Sequence, residues 1–217
     1  MERLVLKKEQ MVPMKETKFL NMYDIQYSEG KHYYNVTRRK AEDTVALMST
    51  EDFQNMSPDA VTIAVIVNLP GEEPKLLLSY EYRYPVGQFL LSPVAGLIDP
   101  EDLECDNPLV VAAIREIKEE TGLTVKDTDE IFVINPCTFA SPGMTDESNA
   151  FLCAKIWVDN LDELNQDGAV GSEMFNGVEL LSREQIKEIF TTGRDVNGNF
   201  MPLQTWAVMG YFLSTIE

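Results

Sequence analysis

Residues 115 to 122 read Arg-Glu-Ile-Lys-Glu-Glu-Thr-Gly, a run that gathers three carboxylates near the end of an expected helix. Oxygen donors at this spacing suit a hard divalent cation, which leaves coordination positions for water and phosphate oxygens. The signals for the helix surround the run. Asp106 and Asn107 are N-cap types, Pro108 fits the first helical position, and Gly122 fits the left-handed residue just past the end. At about 100° per residue, Val110, Ala113, Ile114, Ile117 and Thr121 share one arc, and Glu116, Glu119 and Glu120 share the arc beside it. A helix C-terminus carries partial negative charge and like charges four residues apart repel by roughly a few tenths of a kcal/mol, so the cluster calls for a cation. Arg115 supplies one, and a divalent metal fits better.

An acidic helix face alone would pass for solvated surface in a chain with 36 acidic and 18 basic residues. The segment upstream changes that reading. Ala95-Gly96-Leu97-Ile98-Asp99-Pro100-Glu101-Asp102, joined to Arg115, Glu116, Ile117, Glu119, Glu120, Gly122 and Leu123, resembles the Nudix box, G-x5-E-x7-R-E-U-x-E-E-x-G-U with U aliphatic. Asp102 stands at the first acidic position, with about five additional residues before Arg115, an insertion that loop-closure entropy tolerates. Glu101 and Glu104 are alternatives for that position. The resemblance implies Mg2+ or Mn2+ held directly by Glu116, Glu120 and the Ala95 carbonyl, with Glu119 bound directly or through water and Arg115 orienting the glutamates. It implies hydrolysis at phosphorus, in which metal ions neutralise pyrophosphate and activate water.

Beyond the box the chain resembles the ADP-ribose pyrophosphatase branch of this superfamily. Arg83-Tyr84-Pro85-Val86-Gly87 matches its Arg-x-Pro-x-Gly, and Ser141-Pro142-Gly143 matches its loop after the helix. The resemblance places Arg83 on pyrophosphate and Gly96 at the substrate. It also implies a homodimer in which the N-terminal β-sheet subdomain serves the partner's site, with Arg38 and Arg39 as counter-charges. A glutamate far along the chain is expected to position or activate the attacking water, Glu173 first and Glu147 second. The branch has Glu-x-Pro-Ala-Gly before the box, whereas this chain has Ser92-Pro93-Val94-Ala95-Gly96. ADP-ribose, giving AMP and ribose 5-phosphate, is thus the first substrate to consider, with nucleotide sugars, dinucleoside polyphosphates and NADH as alternatives. A Nudix-type ligand sensor that does not hydrolyse is the competing class, but those sensors carry a basic DNA-binding segment that this sequence lacks.

The elements that must position these groups are legible in outline. Residues 1–18 read as a flexible N-terminus, 19–55 as the N-terminal sheet subdomain, and 56–217 as the hydrolase domain. In the sheet, strands are expected at Phe19 to Tyr27, Lys31 to Thr37 and Asp43 to Met48, with Tyr23, Tyr27, Tyr33 and Tyr34 packing it; His32 is expected to be exposed. The core opens with a hairpin of Val61 to Val67 and Lys75 to Tyr82. Strands at Ile131 to Ile134, Asn149 to Val158 and Val178 to Leu181 follow, then helices from Ser182 to Phe190 and from Pro202 toward Leu213. The fold class is α/β: a Nudix-type α/β/α sandwich with a mixed sheet, preceded by a small antiparallel sheet. A net charge of −18 excludes a generic nucleic-acid partner, and no apolar run is long enough for a membrane span. Three dispersed cysteines, Cys105, Cys137 and Cys153, indicate reduced thiols and a cytoplasmic protein with no zinc site.

Overall fold

The structure, a computed structural model, describes residues 3–169 and 171–215; the parts of the expected segments at Met1, Glu2, Val170, Ile216 and Glu217 lie outside the described residues. The chain divides into two units, residues 1–59 with 137–149, and residues 60–136 with 150–217.

In the first unit β1 (Met11–Glu16), β2 (Asn21–Ser28) and β3 (Lys31–Thr37) form an antiparallel sheet in the order β1-β2-β3. β1 falls where the sequence reads as a flexible terminus. Only Met11 of it is buried and Pro13 sits at a register shift, so its side chains give no alternating signal; backbone pairing to β2 defines it. The strand expected at Asp43 to Met48 is instead two 3-10 turns, Ala41–Asp43 and Val45–Leu47. Val45 is the one buried residue of the second turn, and its amide is taken by Asp146 Oδ2 at 3.2 Å, not by a neighbouring strand. A short α1 (Thr50–Gln54), capped by Ser49 Oγ on the Asp52 amide, follows the two turns. Tyr23 is fully buried with Met11 and Ile25, whereas Tyr33 and Tyr34 are half-exposed. His32 Nδ1 lies 2.7 Å from Asp24 Oδ2, so it is hydrogen-bonded and not simply exposed.

The second unit is organised by β4 (Ala60–Asn68), β5 (Lys75–Arg83), β6 (Gln88–Ser92), β7 (Val94–Leu97), α2 (Pro108–Thr121), β8 (Glu130–Phe139), β9 (Ser148–Trp157), β10 (Phe175–Leu181), α3 (Arg183–Thr192) and α4 (Leu203–Thr215). The sheet order is β10-β5-β4-β9-β8, with β6 paired to β5 and β7 to β4. Alternation along single strands builds two cores. Val61, Ile63, Val65 and Val67 of β4 join Leu77, Leu152 and Ile156 under Ala112, Ala113 and Ile117 of α2, while Ala64 and Ile66 join Leu76 and Leu78 under Ile186, Val208, Met209 and Phe212 of α3 and α4. The result is the expected α/β/α sandwich. Ser182 caps α3 in a reciprocal box with Gln185, as its sequence predicts. Pro136 lies within β8, an edge strand, the kind of position where a sheet tolerates proline. No helix among the described residues is long and apolar enough to cross a membrane.

Candidate active site

The site lies in the second unit, where the last two turns of α2 run beside β7. Gly122 ends the helix with φ 74°, as its place in the sequence predicts. The arcs fall differently from the helical reading at two places: Ile114 is exposed, and Glu116 and Glu120 are 6% and 4% exposed, on the packed side. Their burial is possible because β7 comes close without side-chain bulk. A Cβ on Gly96 would collide with the Glu116 carboxylate, so glycine there makes room for that carboxylate. One residue earlier, the Ala95 amide donates to Glu120 Oε1 at 3.1 Å.

Arg115 binds the outer half of the cluster. Its Nη1 donates to Glu116 Oε1 at 2.6 Å and Glu119 Oε2 at 3.3 Å; its Nη2 donates to the Leu97 carbonyl at 2.8 Å and Asp102 Oδ2 at 2.9 Å. Asp102 is 4% exposed and also accepts the Asp99 amide at 2.9 Å, so the residue just before the insertion holds the arginine, and Glu101 and Glu104 do not. Burial would raise the Asp102 carboxyl, but Arg115 and the Asp99 amide outweigh it and hold it below its ordinary value.

The inner half has no such neutralisation. Among the described residues no lysine or arginine pairs with Glu120. Burial pushes its carboxyl well above the ordinary range, and the charges of Glu81, Glu116 and Glu173 add to the rise. Burial likewise pushes Glu116 up to about 7 against the pull of Arg115. The residue that sequence reasoning missed is Glu81. Strand alternation puts it on the α2 face of β5 with Leu77 and Ser79; its side chain is 14% exposed and pairs with Arg83 at 2.5 Å. The available signal was an acid in the strand that continues the apolar run Leu76-Leu77-Leu78, two residues before Arg83. Glu173 lies beside the start of β10, where the Met174 carbonyl accepts the Tyr82 amide at 2.8 Å. Its charge acts on Glu81, Glu116 and Glu120.

These donors fit a hard divalent cation. Two buried carboxylates, a third at the rim and the backbone of Ala95 meet where a Cβ is excluded and negative charge is uncompensated. Arg115 draws Glu116 and Glu119 outward, and among the described residues no three acidic, histidine or cysteine side chains close into a finished cage.

Arg38, Arg39 and Glu147 belong to the first unit. Arg38 pairs with Glu147 at 3.2 Å. Arg39, with a side chain 14% exposed, pairs with Asp59 at 2.7 Å and Asp146 at 3.6 Å in a buried ion cluster. The Tyr33 hydroxyl donates to the Gly143 carbonyl at 2.6 Å and the Val36 amide to the Met144 carbonyl at 3.0 Å, which ties the Ser141-Pro142-Gly143 loop to β3.

The structure brings the motif residues between 95 and 123 together, and over part of its length the chain is similar to curated Nudix hydrolases. The chain is 35% identical over 100 residues to an uncharacterized Nudix hydrolase of Schizosaccharomyces pombe, covering 45% of this chain and 43% of that protein. It is 32% identical over 129 residues to a putative Nudix hydrolase of Caenorhabditis elegans, covering 59% and 53%. By sequence the chain is a relative of the Nudix hydrolases. An ADP-ribose pyrophosphatase of Saccharomyces cerevisiae is 36% identical over 97 residues, covering 44% of this chain and 36% of that enzyme. The chain therefore spans about half or less of the curated relatives it matches. The crystal structure of an ADP compounds hydrolase shares the fold, with a TM-score of 0.50 at 15% identity over 94% of this chain and 92% of the other. No protein-family model matches the chain.

Proposed function

We propose that this protein hydrolyses the pyrophosphate bond of a nucleoside diphosphate linked to a second moiety, with ADP-ribose as the first substrate and AMP and ribose 5-phosphate as products. The observation that carries the reading is the buried pair Glu116 and Glu120 beside Ala95 and Gly96, where Arg115 pairs with Glu116 but, among the described residues, no lysine or arginine pairs with Glu120. Magnesium or manganese held there by Glu116, Glu120, Glu119 and the Ala95 carbonyl would neutralise pyrophosphate and lower the pKa of bound water. Arg115 orients Glu116 and Glu119 through its ion pairs with them, while Asp102 and the Leu97 carbonyl fix Arg115. Arg83, at the end of β5, is the cation offered to the substrate phosphates, and Glu81 holds it in place. Glu173 receives a proton from the attacking water, because it stands beside the cluster on a segment that is not part of the helix.

The substrate class is supported by the names of relatives, an ADP-ribose pyrophosphatase and an ADP compounds hydrolase. Incubation with a panel of ADP-ribose, nucleotide sugars, dinucleoside polyphosphates and NADH, with magnesium and then with chelator, tests it. We expect metal-dependent release of AMP from ADP-ribose; saturable binding with no product would identify a ligand sensor instead. A homodimer is part of the proposal, because the three-stranded sheet and its β1–β2 turn leave Met14, Phe19, Leu20 and Tyr34 exposed as apolar surface for a second copy to cover. Light scattering at micromolar concentration should return twice the chain mass, and a monomer would refute it.

A further inference from the structure

We propose that Tyr84 is a positioning residue: its hydroxyl ties down the segment Ser172 to Met174 and so holds Glu173 among the carboxylates of the site. The proposal rests on the reading of Glu173 given above. Tyr84 itself is well fixed. The Val86 and Gly87 amides both donate to the Arg83 carbonyl, at 2.9 and 2.8 Å, closing the turn with Gly87 at φ 68°. The Tyr84 ring meets Tyr82 edge-on, 5.1 Å between centroids, and Tyr82 meets Phe89 in the same manner at 5.2 Å.

From that platform the Tyr84 hydroxyl donates to the Ser172 carbonyl at 3.2 Å, with Met174 Sδ at 3.4 Å beside it. The Tyr82 amide donates to the Met174 carbonyl at 2.8 Å, one step beyond the pairing of Phe175 with Glu81. Glu173 is therefore the residue between two anchored neighbours, one held by a side chain and one by a backbone amide. Two residues upstream of Glu173 the chain turns at Gly171, whose φ of 63° favours glycine. The Tyr84 ring is 59% exposed, so core packing does not account for an aromatic residue at this position. A tie of this kind holds the carboxylate in register without touching substrate.

Tyr84→Phe keeps the ring contacts and removes only the tie. With magnesium and ADP-ribose, kcat should fall about tenfold while KM stays within about twofold and the melting temperature is unchanged. Amide hydrogen exchange across residues 172–175 should be faster in the variant. In a Glu173→Gln background the same change should have no further effect on kcat. Equal losses in both backgrounds, or a loss expressed only in KM, would overturn the proposal by placing Tyr84 on the substrate. Unchanged exchange would show that the tie does not hold the segment and would overturn it independently. Full kcat in Glu173→Gln alone would sink the reading of Glu173 and the catalytic purpose of the tie, whereas the exchange rate still reports whether the tie exists.

Discussion

Arg39 and Arg115 each face more than one carboxylate, and the two settings have opposite endings. Arg39 sits between Asp59 and Asp146, and the carboxylates have other donors as well: the Ser148 amide and hydroxyl reach Asp59 at 2.9 and 3.0 Å, and the Val45 amide reaches Asp146 at 3.2 Å. That network is close to balanced, with Asp146 Oδ1 reached only by the Arg39 ion pair at 3.6 Å. Arg115 instead faces Asp99, Asp102, Glu116 and Glu119, and Glu120 beyond them has one amide and no cation. A buried ion cluster that is satisfied holds structure, whereas one with excess charge of a single sign is a receptor for the missing charge.

Substitutions should separate the two settings. Glu120→Gln should lower kcat by about three orders of magnitude, on the order of 4 kcal/mol in the barrier, while the metal-free protein melts no lower than wild type, because a buried repulsive charge is gone. Steady-state kinetics beside calorimetry would check both halves. Arg39→Met should do the reverse. Leaving two enclosed aspartates without their cation should cost about 3 kcal/mol in denaturant unfolding, with turnover per folded molecule within a few-fold of wild type. A variant of Arg39 that kept full stability would break the comparison at its structural end.

Gly96→Ala places a Cβ against the Glu116 carboxylate, and we expect about a hundredfold loss in kcat/KM from a displaced donor. The smallest expected effect concerns pH. Glu116 is raised by burial to about 7 in the metal-free protein, above its unfolded value. Between about pH 4.5 and 7 the folded state then holds more protons than the unfolded state, so stability falls as pH rises through that window. The melting temperature should drop on the order of 5 °C across it without metal. Saturating magnesium should flatten that slope, and an equal slope with and without metal would contradict the assignment.

The contrast also explains what could be read from sequence. Helix α2, its Gly122 ending and the acidic triplet are local features, fixed by spacing along one element. The sandwich was legible for the same reason, since β4 and β5 are long apolar strands and Ser182 and Gln185 mark α3 by chemistry. Strand β1 was not, because one buried side chain in six gives no period, and its pairing to β2 is a backbone property. The roles of Arg39 and Asp102 depended on partners far along the chain, Asp146 and Arg115, which no local pattern announces. Glu81 was hidden in a strand that reads as core, and only the sheet's alternation places it on the α2 face.

The central claim is that the α2 carboxylates form an open cation site, and counting bound Mn2+ by electron paramagnetic resonance tests it most directly. Wild type and Arg39→Met should each bind at least one Mn2+ per chain, and magnesium should displace it. Glu116→Gln/Glu120→Gln should bind none under the same conditions. Equal binding by wild type and the double variant would place the metal elsewhere and contradict the account.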